Sequence, residues 1–419
     1  MLDKLLNKIK KLDESLVVDC GISLAHVFVH LDDSIEEDSY TIDITEKHIL
    51  FYAKEEKDLF YGLLTLLQQV KTREILLIGD NKSNINERGV HIDLGRKFYS
   101  KEFFLNLIET MALNKLNILQ MHFSEFLGYR LESKVYPEIT SEDHLTIEDI
   151  KEIVAYAQDH YIEVIPSFDT PGHLTHVLKS YPEHQFPNLE TGLNITSKES
   201  RDFVKALYDE VLEIFNHTDK IHMGADEFID FNEFEKYPEL EKYAKENISK
   251  DAHPLDTYVD YVNDIGSYLI DKGKEVRVWN DGLYRNNVEH TLELNKDLVI
   301  TYWTNWHKDM APISTFIEKN HKVINFDDAN LYYVLGEAAS YTYPTPSKIK
   351  ENFDVFTFPT KSENANDIVA KHKDQVVGSF FSVWSDMPEA QTETEVLENI
   401  TPLLKEYGLK LWTFTQEKR

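Results

Sequence analysis

The chain has 419 residues, enough for one large domain or two unequal ones with a sizeable core. Hydrophobic residues make up 42% and aromatic residues 12%, which excludes a disordered chain. Lysine and arginine number 44 against 74 aspartate and glutamate, a formal charge of −30 that repels phosphate backbones and excludes nucleic acid as an expected partner.

Solubility is the expected use of that acidic surface. The one cysteine, Cys20, excludes an intrachain disulfide. The opening stretch MLDKLLNKIKKLDESL breaks every apolar run with lysine and lacks a small-residue cleavage site, so it does not read as a signal peptide. No segment approaches ~18 uninterrupted apolar residues, which excludes a membrane-spanning helix. A cytoplasmic protein without membrane contact is the expectation.

Up to residue 84 the chain predicts a small α/β domain. Strands alternate at 40–45 and 48–54, a helix follows over 56–71, and a further strand over 74–79. The polar stretch DNKSNINE, 80–87, reads as a junction. From residue 85 to 419 the pattern changes to regular alternation. Strands are predicted at 88–95, 117–124, 162–169, 220–226, 275–281, 298–303, 322–328 and 376–384. Amphipathic helices fall at 101–113, 147–160, 199–216, 255–272, 313–320, 361–371 and 394–406. The link between the fifth and sixth strands is short, and 329–360 reads as a long irregular loop. Eight such units predict a (β/α)₈ barrel, with a doubly wound open sheet as the alternative.

The C-terminal ends of these strands collect polar and aromatic residues: Asp93 and Arg96, His122 and Glu125, Asp169 and His173, Asp226 and Glu227, Trp279 and Asp281, Trp303, Asp327 and Asp328, Trp384 and Asp386. In a parallel barrel those ends converge on the face that holds the active site. Turn preference explains one or two aspartates. It does not explain three tryptophans, which gain nothing at a strand end unless a flat ligand such as a sugar ring covers them. The adjacent acids in IHMGADEFID, 221–230, then pose a specific chemistry. Ordinary glycosidases set two carboxyl groups across the scissile bond, about 5 Å apart for retention and wider for inversion. Neighbouring residues on a strand project differently. They suit a mechanism in which one acid protonates the leaving oxygen while the other steadies charge on the substrate's own 2-acetamido group.

HMGADE resembles the His-x-Gly-Gly-Asp-Glu motif of glycoside hydrolase family 20, the β-N-acetylhexosaminidases, including dispersin-like enzymes. RGVHIDLGRKFYS (88–100), NILQMHFSE (117–125), IPSFDTPGH (165–173), VWNDG (278–282), ITYW (300–303), YYVLG (332–336) and SVWSD (382–386) fall in the family's order. The resemblance covers nearly everything after residue 40 and implies a barrel behind a small α+β domain. It also implies a cofactor-free, metal-free retaining hydrolysis of a terminal β-linked N-acetylglucosamine or N-acetylgalactosamine from a small oligosaccharide or glycan, through an oxazolinium intermediate.

Carried over by position, Glu227 is the expected general acid and base, with a pKa raised by a dry pocket. Asp226 orients the acetamide, and Tyr332 hydrogen-bonds its oxygen. Arg88 and Asp386 hold sugar hydroxyls, and His122 is placed among the substrate-binding residues. Trp279, Trp303 and Trp384 wall the pocket. His173 and Glu125 form a proton-tuning chain behind Glu227, and Asp169 supports the site. Departures from the family pattern are Ala225 for the second glycine, acceptable if its φ is negative, Glu125 for Asp, Asp386 for Glu, Gln120-Met121 for His-Trp, and no acid two places after Tyr332.

Plainer readings stand beside these. Asp226 and Glu227 can cap a following helix, His122 and His173 can be core histidines, the tryptophans can fill the barrel, and Arg88 can be an ion-pair partner. Two rival functions also stay open: a metal-dependent hydrolase using His122, His173, His222 and Asp226, and a non-catalytic carbohydrate-binding protein on the same scaffold.

Overall fold

The computed structural model describes residues 1–18, 26–72 and 78–414. Cys20 and most of the strand expected at 74–79 lie outside the described residues. Among the described residues no helix is long and apolar enough to cross a membrane.

The N-terminal part starts with a helix, α1 (Leu2–Leu12), that buries Leu5 and Ile9. Its sheet holds β1 (Val27–Leu31), β2 (Ser39–Ile44), β3 (Ile49–Ala53) and β4 (Gly79–Ser83), with α2 (Glu56–Thr72) packed on it. Strand β4 occupies part of the stretch read as a junction. Its sequence, GDNKS, has no apolar alternation to signal a strand; backbone pairing to β2 makes it one, with Gly79, Asn81 and Ser83 turned inward. The fifth strand of this sheet comes from the far end of the chain, where Trp412–Phe414 pairs antiparallel with β4. The small domain is therefore completed by residues beyond the barrel.

The barrel strands are β5 (Glu87–Asp93), β6 (Ile118–Glu125), β7 (Glu163–Thr170), β8 (Lys220–Gly224), β9 (Glu275–Trp279), β10 (Val299–Tyr302), β11 (Val323–Asn325) and β12 (Val376–Trp384). Each pairs in parallel with the next, and β12 pairs with both β11 and β5. That last pairing closes the sheet and removes the open-sheet alternative. Strands covered on both faces read as continuous buried runs, and β6 is buried at every position. Gly89 on β5 makes room for Phe380, whose ring lies 2.2 Å from where a Cβ would stand.

Helices return between the strands. Ser100 caps α3 (Lys101–Leu113), and a capping box of Thr146 with Asp149 starts α4 (Ile147–Asp159). Helices α5 (Lys198–Ile214) and α6 (Pro254–Asp271) follow, then the shorter α7 (Ile313–Glu318) and α8 (Ala365–Val369), and Thr392 with Glu395 opens α9 (Glu393–Lys410). Among the described residues no helix lies between β9 and β10. The segment expected to be irregular, 329–360, is more ordered than its sequence suggests: Tyr332–Val334 pairs in parallel with β12, and Pro346–Asn352 is helical.

Candidate active site

The acid turn begins where β8 ends. Gly224 has φ 77°, Ala225 φ 73° and Glu227 φ 42°, so the chain leaves the strand through left-handed backbone. The condition set for Ala225 is not met: its methyl group sits where L-residues pay about 1–2 kcal/mol. Three hydrogen bonds hold the turn. Ala225 N donates to Thr170 O at 2.9 Å, Glu227 N donates to Asp281 Oδ2 at 3.0 Å, and the Tyr258 hydroxyl donates to Ala225 O. No helix begins at Asp226, so the pair does not serve as a cap; backbone strain at this position fits a functional turn instead. A Cβ on Gly224 would lie 2.3 Å from Asp169 Oδ1, which fixes glycine there.

The turn opens on a pocket of about 400 Å³, lined by Arg96, His173, Asp226, Glu227, Trp279, Trp303, Trp306, Tyr332, Val334, Ala339, Tyr341, Trp384 and Asp386. Trp303 and Tyr332 stack with ring centres 6.1 Å apart and planes 4° from parallel. Trp384 lies 5.9 Å from both Tyr332 and Trp279. Burial holds the Tyr332 phenol well above its ordinary pKa, so it stays a hydrogen-bond donor. Asp281 ties the acid turn to the wall by also accepting from Trp303 Nε1 at 3.1 Å. Burial, and then Asp226, push the Asp281 carboxyl up to about 7.

Behind the pocket runs a chain of charges. Arg96 lies 2.8 Å from Asp93 Oδ2 and 2.9 Å from Glu125 Oε1. Glu125 Oε2 lies 3.0 Å from His173 Nδ1. The extra methylene of Glu125 therefore still reaches His173. Burial disfavours the Glu125 carboxylate, but Arg96 and His173 outweigh it and hold its pKa well below the usual range. His173, at φ 58°, places Nε2 3.4 Å from Asp226 Oδ2 and 3.5 Å from Glu227 Oε2. Burial works against its proton, yet Glu125 and Asp226 raise its pKa well above 6.5.

The expected raised pKa of Glu227 is not what this arrangement gives. Its side chain is 49% exposed to the open pocket, and His173, its Nε2 3.5 Å away, outweighs burial and lowers its pKa. The site is not dry enough, and the cation too close, for the carboxyl to hold its proton unaided.

Two further expectations need correction. Arg88 is in the barrel but not in the pocket. It is the second residue of β5, five residues before Asp93 and so roughly 17 Å down the strand. There it is fully buried against the small domain, bound to Asp38 at 3.1 Å, to Ser83 Oγ, and to the carbonyls of Ile85, Asn86 and Lys115. Arg96, eight residues later in the same motif, is the arginine that faces the pocket. The sequence offered both; only the direction of the strand separates them. His122 is likewise fully buried and does not line the pocket. Its Nδ1 pairs with Ser167 Oγ at 2.9 Å and its Nε2 with Glu125 Oε1 at 3.3 Å, so it props the charge chain from below.

Asp169 is fully buried and neither of its carboxylate oxygens makes a hydrogen bond. Burial and then Asp226 raise its pKa well above the ordinary value. Among the described residues, the trios His122–Glu125–Asp169 and Asp169–His173–Asp226 each bring three donor atoms within 4.8 Å. His222 joins neither: its Nε2 pairs with Thr301 Oγ1 at 2.8 Å and its Nδ1 accepts from Gly224 N at 3.0 Å. The four-residue metal set is therefore not assembled. Sequence reading also missed Trp306, Tyr341, Val334 and Ala339 as lining residues. The second tryptophan in WTNW, just past β10, was the available signal.

Comparison with known proteins fits this geometry. The family description "Glycosyl hydrolase family 20, catalytic domain" matches residues 86–401. Over 391 residues the chain is 26% identical to the lacto-N-biosidase of Bifidobacterium bifidum, covering 90% of this chain and 33% of that protein. It is 25% identical over 429 residues to a β-hexosaminidase of Vibrio vulnificus, covering 84% of this chain and 50% of that one. The chain thus spans between a third and a half of the length of these curated relatives. The fold matches an exo β-N-acetylglucosaminidase of Vibrio harveyi, solved in complex with N-acetylglucosamine, with a TM-score of 0.73, 18% identity, and coverage of 99% of this chain and 68% of that one. With the family's catalytic domain matched across most of its length, the chain belongs to glycosyl hydrolase family 20.

Proposed function

We propose that the chain removes a terminal β-linked N-acetylhexosamine, N-acetylglucosamine or N-acetylgalactosamine, with retained configuration, the substrate's own acetamide oxygen attacking the anomeric carbon. One observation carries the reading: a single nitrogen, His173 Nε2, lies within 3.5 Å of both Asp226 and Glu227. Two carboxylates gathered on one nitrogen stand on one side of the pocket. Adjacent acids held by one histidine suit a division of labour in which one steers the acetamide and the other protonates the leaving oxygen.

In this reading Glu227, the more open of the two, protonates the leaving oxygen and then activates water. Asp226 receives the acetamide N–H and offsets the oxazolinium charge. The buried Tyr332 donates to the attacking oxygen, and Trp279, Trp303 and Trp384 enclose the sugar. Arg96 and Asp386 take the ring hydroxyls, the role first expected of Arg88. A bound sugar also covers the exposed half of Glu227, replacing water with apolar surface and restoring the tendency of its carboxyl to hold a proton. The partner is a small oligosaccharide or glycan ending in this sugar.

NMR of the first product anomer tests the reading. The β anomer is expected before mutarotation, with activity lost in Glu227→Gln. A first-formed α anomer, or full activity in Glu227→Gln, would overturn it. Activity in the wild type also separates this reading from a non-catalytic sugar-binding protein.

A further inference from the structure

The charge chain behind the pocket leaves one group of atoms unpaired. Asp169 is fully buried, and neither of its carboxylate oxygens makes a hydrogen bond; nor do His173 Nε2 and Asp226 Oδ1, which are also enclosed. Each of the three residues offers one donor atom, and these atoms lie within 4.8 Å of one another. We propose that Asp169, His173 and Asp226 bind a zinc ion, and that the ion shuts the enzyme off by occupying the carboxylate that receives the substrate's acetamide. The zinc site stands on these residues alone; its effect on turnover rests on the role of Asp226 given above.

The donor set and its spacing fit zinc. One imidazole with two carboxylates is a ligand set that zinc takes, with a fourth position left for water. Ligands ~2.1 Å from a tetrahedral ion stand ~3.4 Å apart, and His173 Nε2 lies 3.4 Å from Asp226 Oδ2. The other ring nitrogen of a zinc-bound histidine usually donates to a carboxylate, which fixes the ring. His173 Nδ1 is already placed for this, 3.0 Å from Glu125 Oε2, and Arg96 holds the other oxygen of Glu125 at 2.9 Å. Magnesium, which demands near-octahedral oxygen ligands, is a poor match for a site built on a ring nitrogen.

The neighbouring trio of His122, Glu125 and Asp169 is just as closely set but offers an ion no way in. All three residues are buried, and His122 Nε2 is already paired with Glu125 Oε1 at 3.3 Å. The proposed site opens on solvent, because His173 and Asp226 both line the pocket, and that gives the ion its entry. The negative charge of Asp226 bears on Asp169, and a dication between them answers both.

The test titrates zinc chloride into the metal-free chain by calorimetry and follows hydrolysis of an aryl β-N-acetylglucosaminide over the same zinc range. KM should rise linearly with zinc at constant kcat, doubling where free zinc equals the calorimetric Kd. Asp169→Asn should weaken that binding about tenfold or more, since losing a ligand costs at least as much as losing an outer partner of one. Zinc held by surface histidines is unchanged by the exchange, so the difference between the two proteins reports the site. Folded Asp169→Asn that binds zinc within twofold of the wild type overturns the inference. So does a wild type that millimolar zinc leaves unaffected, one whose kcat falls at constant KM, or one that a chelator inactivates. If Asp169→Asn fails to fold, the wild-type kinetics decide. A metal-free wild type that hydrolyses no N-acetylhexosaminide overturns the hydrolytic reading instead, and calorimetry then decides the zinc site by itself.

Discussion

Replacing Arg88 by methionine separates a structural arginine from a substrate-binding one. Arg88 is fully buried and spends its guanidinium on the paired oxygens of Asp38, both at 3.1 Å, on Ser83 Oγ, and on three carbonyls between 2.9 and 3.1 Å. Methionine fills much of the volume but satisfies none of these acceptors. Asp38 also loses its nearer cation and keeps only Lys57 Nζ at 3.4 Å: burial raises its pKa, and Arg88 is the main reason that it is nonetheless lowered. Breaking a buried pair by removing one partner costs about 3–5 kcal/mol, a large part of a total stability of about 5–15 kcal/mol. Urea unfolding followed by tryptophan fluorescence measures the loss. kcat/KM on an aryl β-N-acetylglucosaminide, taken well below the transition, measures function. We expect at least about 3 kcal/mol lost and kcat/KM within about threefold of the wild type. A loss below about 1 kcal/mol together with a hundredfold fall in kcat/KM would refute the placement and return Arg88 to the sugar site.

The remaining predictions concern the charge chain and the domain junction. Arg96→Met removes the cation between Asp93, Glu125 and the pocket, and should lower kcat/KM about a hundredfold or more on the same substrate, with a smaller loss of stability than Arg88→Met. His173→Gln removes the imidazole that stands 3.5 Å from Glu227 and lowers its pKa, so the limb of the pH profile on which activity falls as Glu227 loses its proton should move to higher pH while kcat drops. A limb that stays put or moves to lower pH would show that His173 does not tune Glu227. Lys115, beneath the ring of Trp412, is pushed down to about 7 by burial and by Arg88. Between pH 7 and 9 the unfolded chain then binds a proton that the folded one does not, so stability should rise with pH by up to about 1.4 kcal/mol per unit from this group. Lys115→Met should remove that slope, and an unchanged slope in the variant would assign it elsewhere.

Much of this was legible in the chain. Apolar runs spaced by amphipathic helices carried the eight barrel strands, and the polar and aromatic residues at their C-terminal ends marked the mouth, because a parallel barrel has one face where all those ends meet. Asp226, Glu227, His173, Trp279, Trp303, Tyr332, Trp384 and Asp386 all line the pocket. What failed depended on geometry that composition does not encode. Arg88 and Arg96 share one short motif, and which end of β5 faces the pocket decides between them. GDNKS is a strand through its backbone partners, so no side-chain alternation announces it. The positive φ of Ala225 arises from a turn pinned by Thr170, Tyr258 and Asp281, residues distant in sequence. The low pKa of Glu227 depends on where His173 points, set by that residue's own left-handed backbone.

The most direct measurement of the central claim varies the nucleophile itself. Aryl β-glucosaminides carrying acetyl, fluoroacetyl, difluoroacetyl and trifluoroacetyl groups on nitrogen differ chiefly in the electron density of the carbonyl oxygen. With Asp226 and Glu227 on one side of the pocket and that oxygen attacking carbon, log kcat/KM should fall steeply along the series, by orders of magnitude from first to last. A flat series would mean that the bond to the anomeric carbon is made by some other atom, and the account of this site would be wrong.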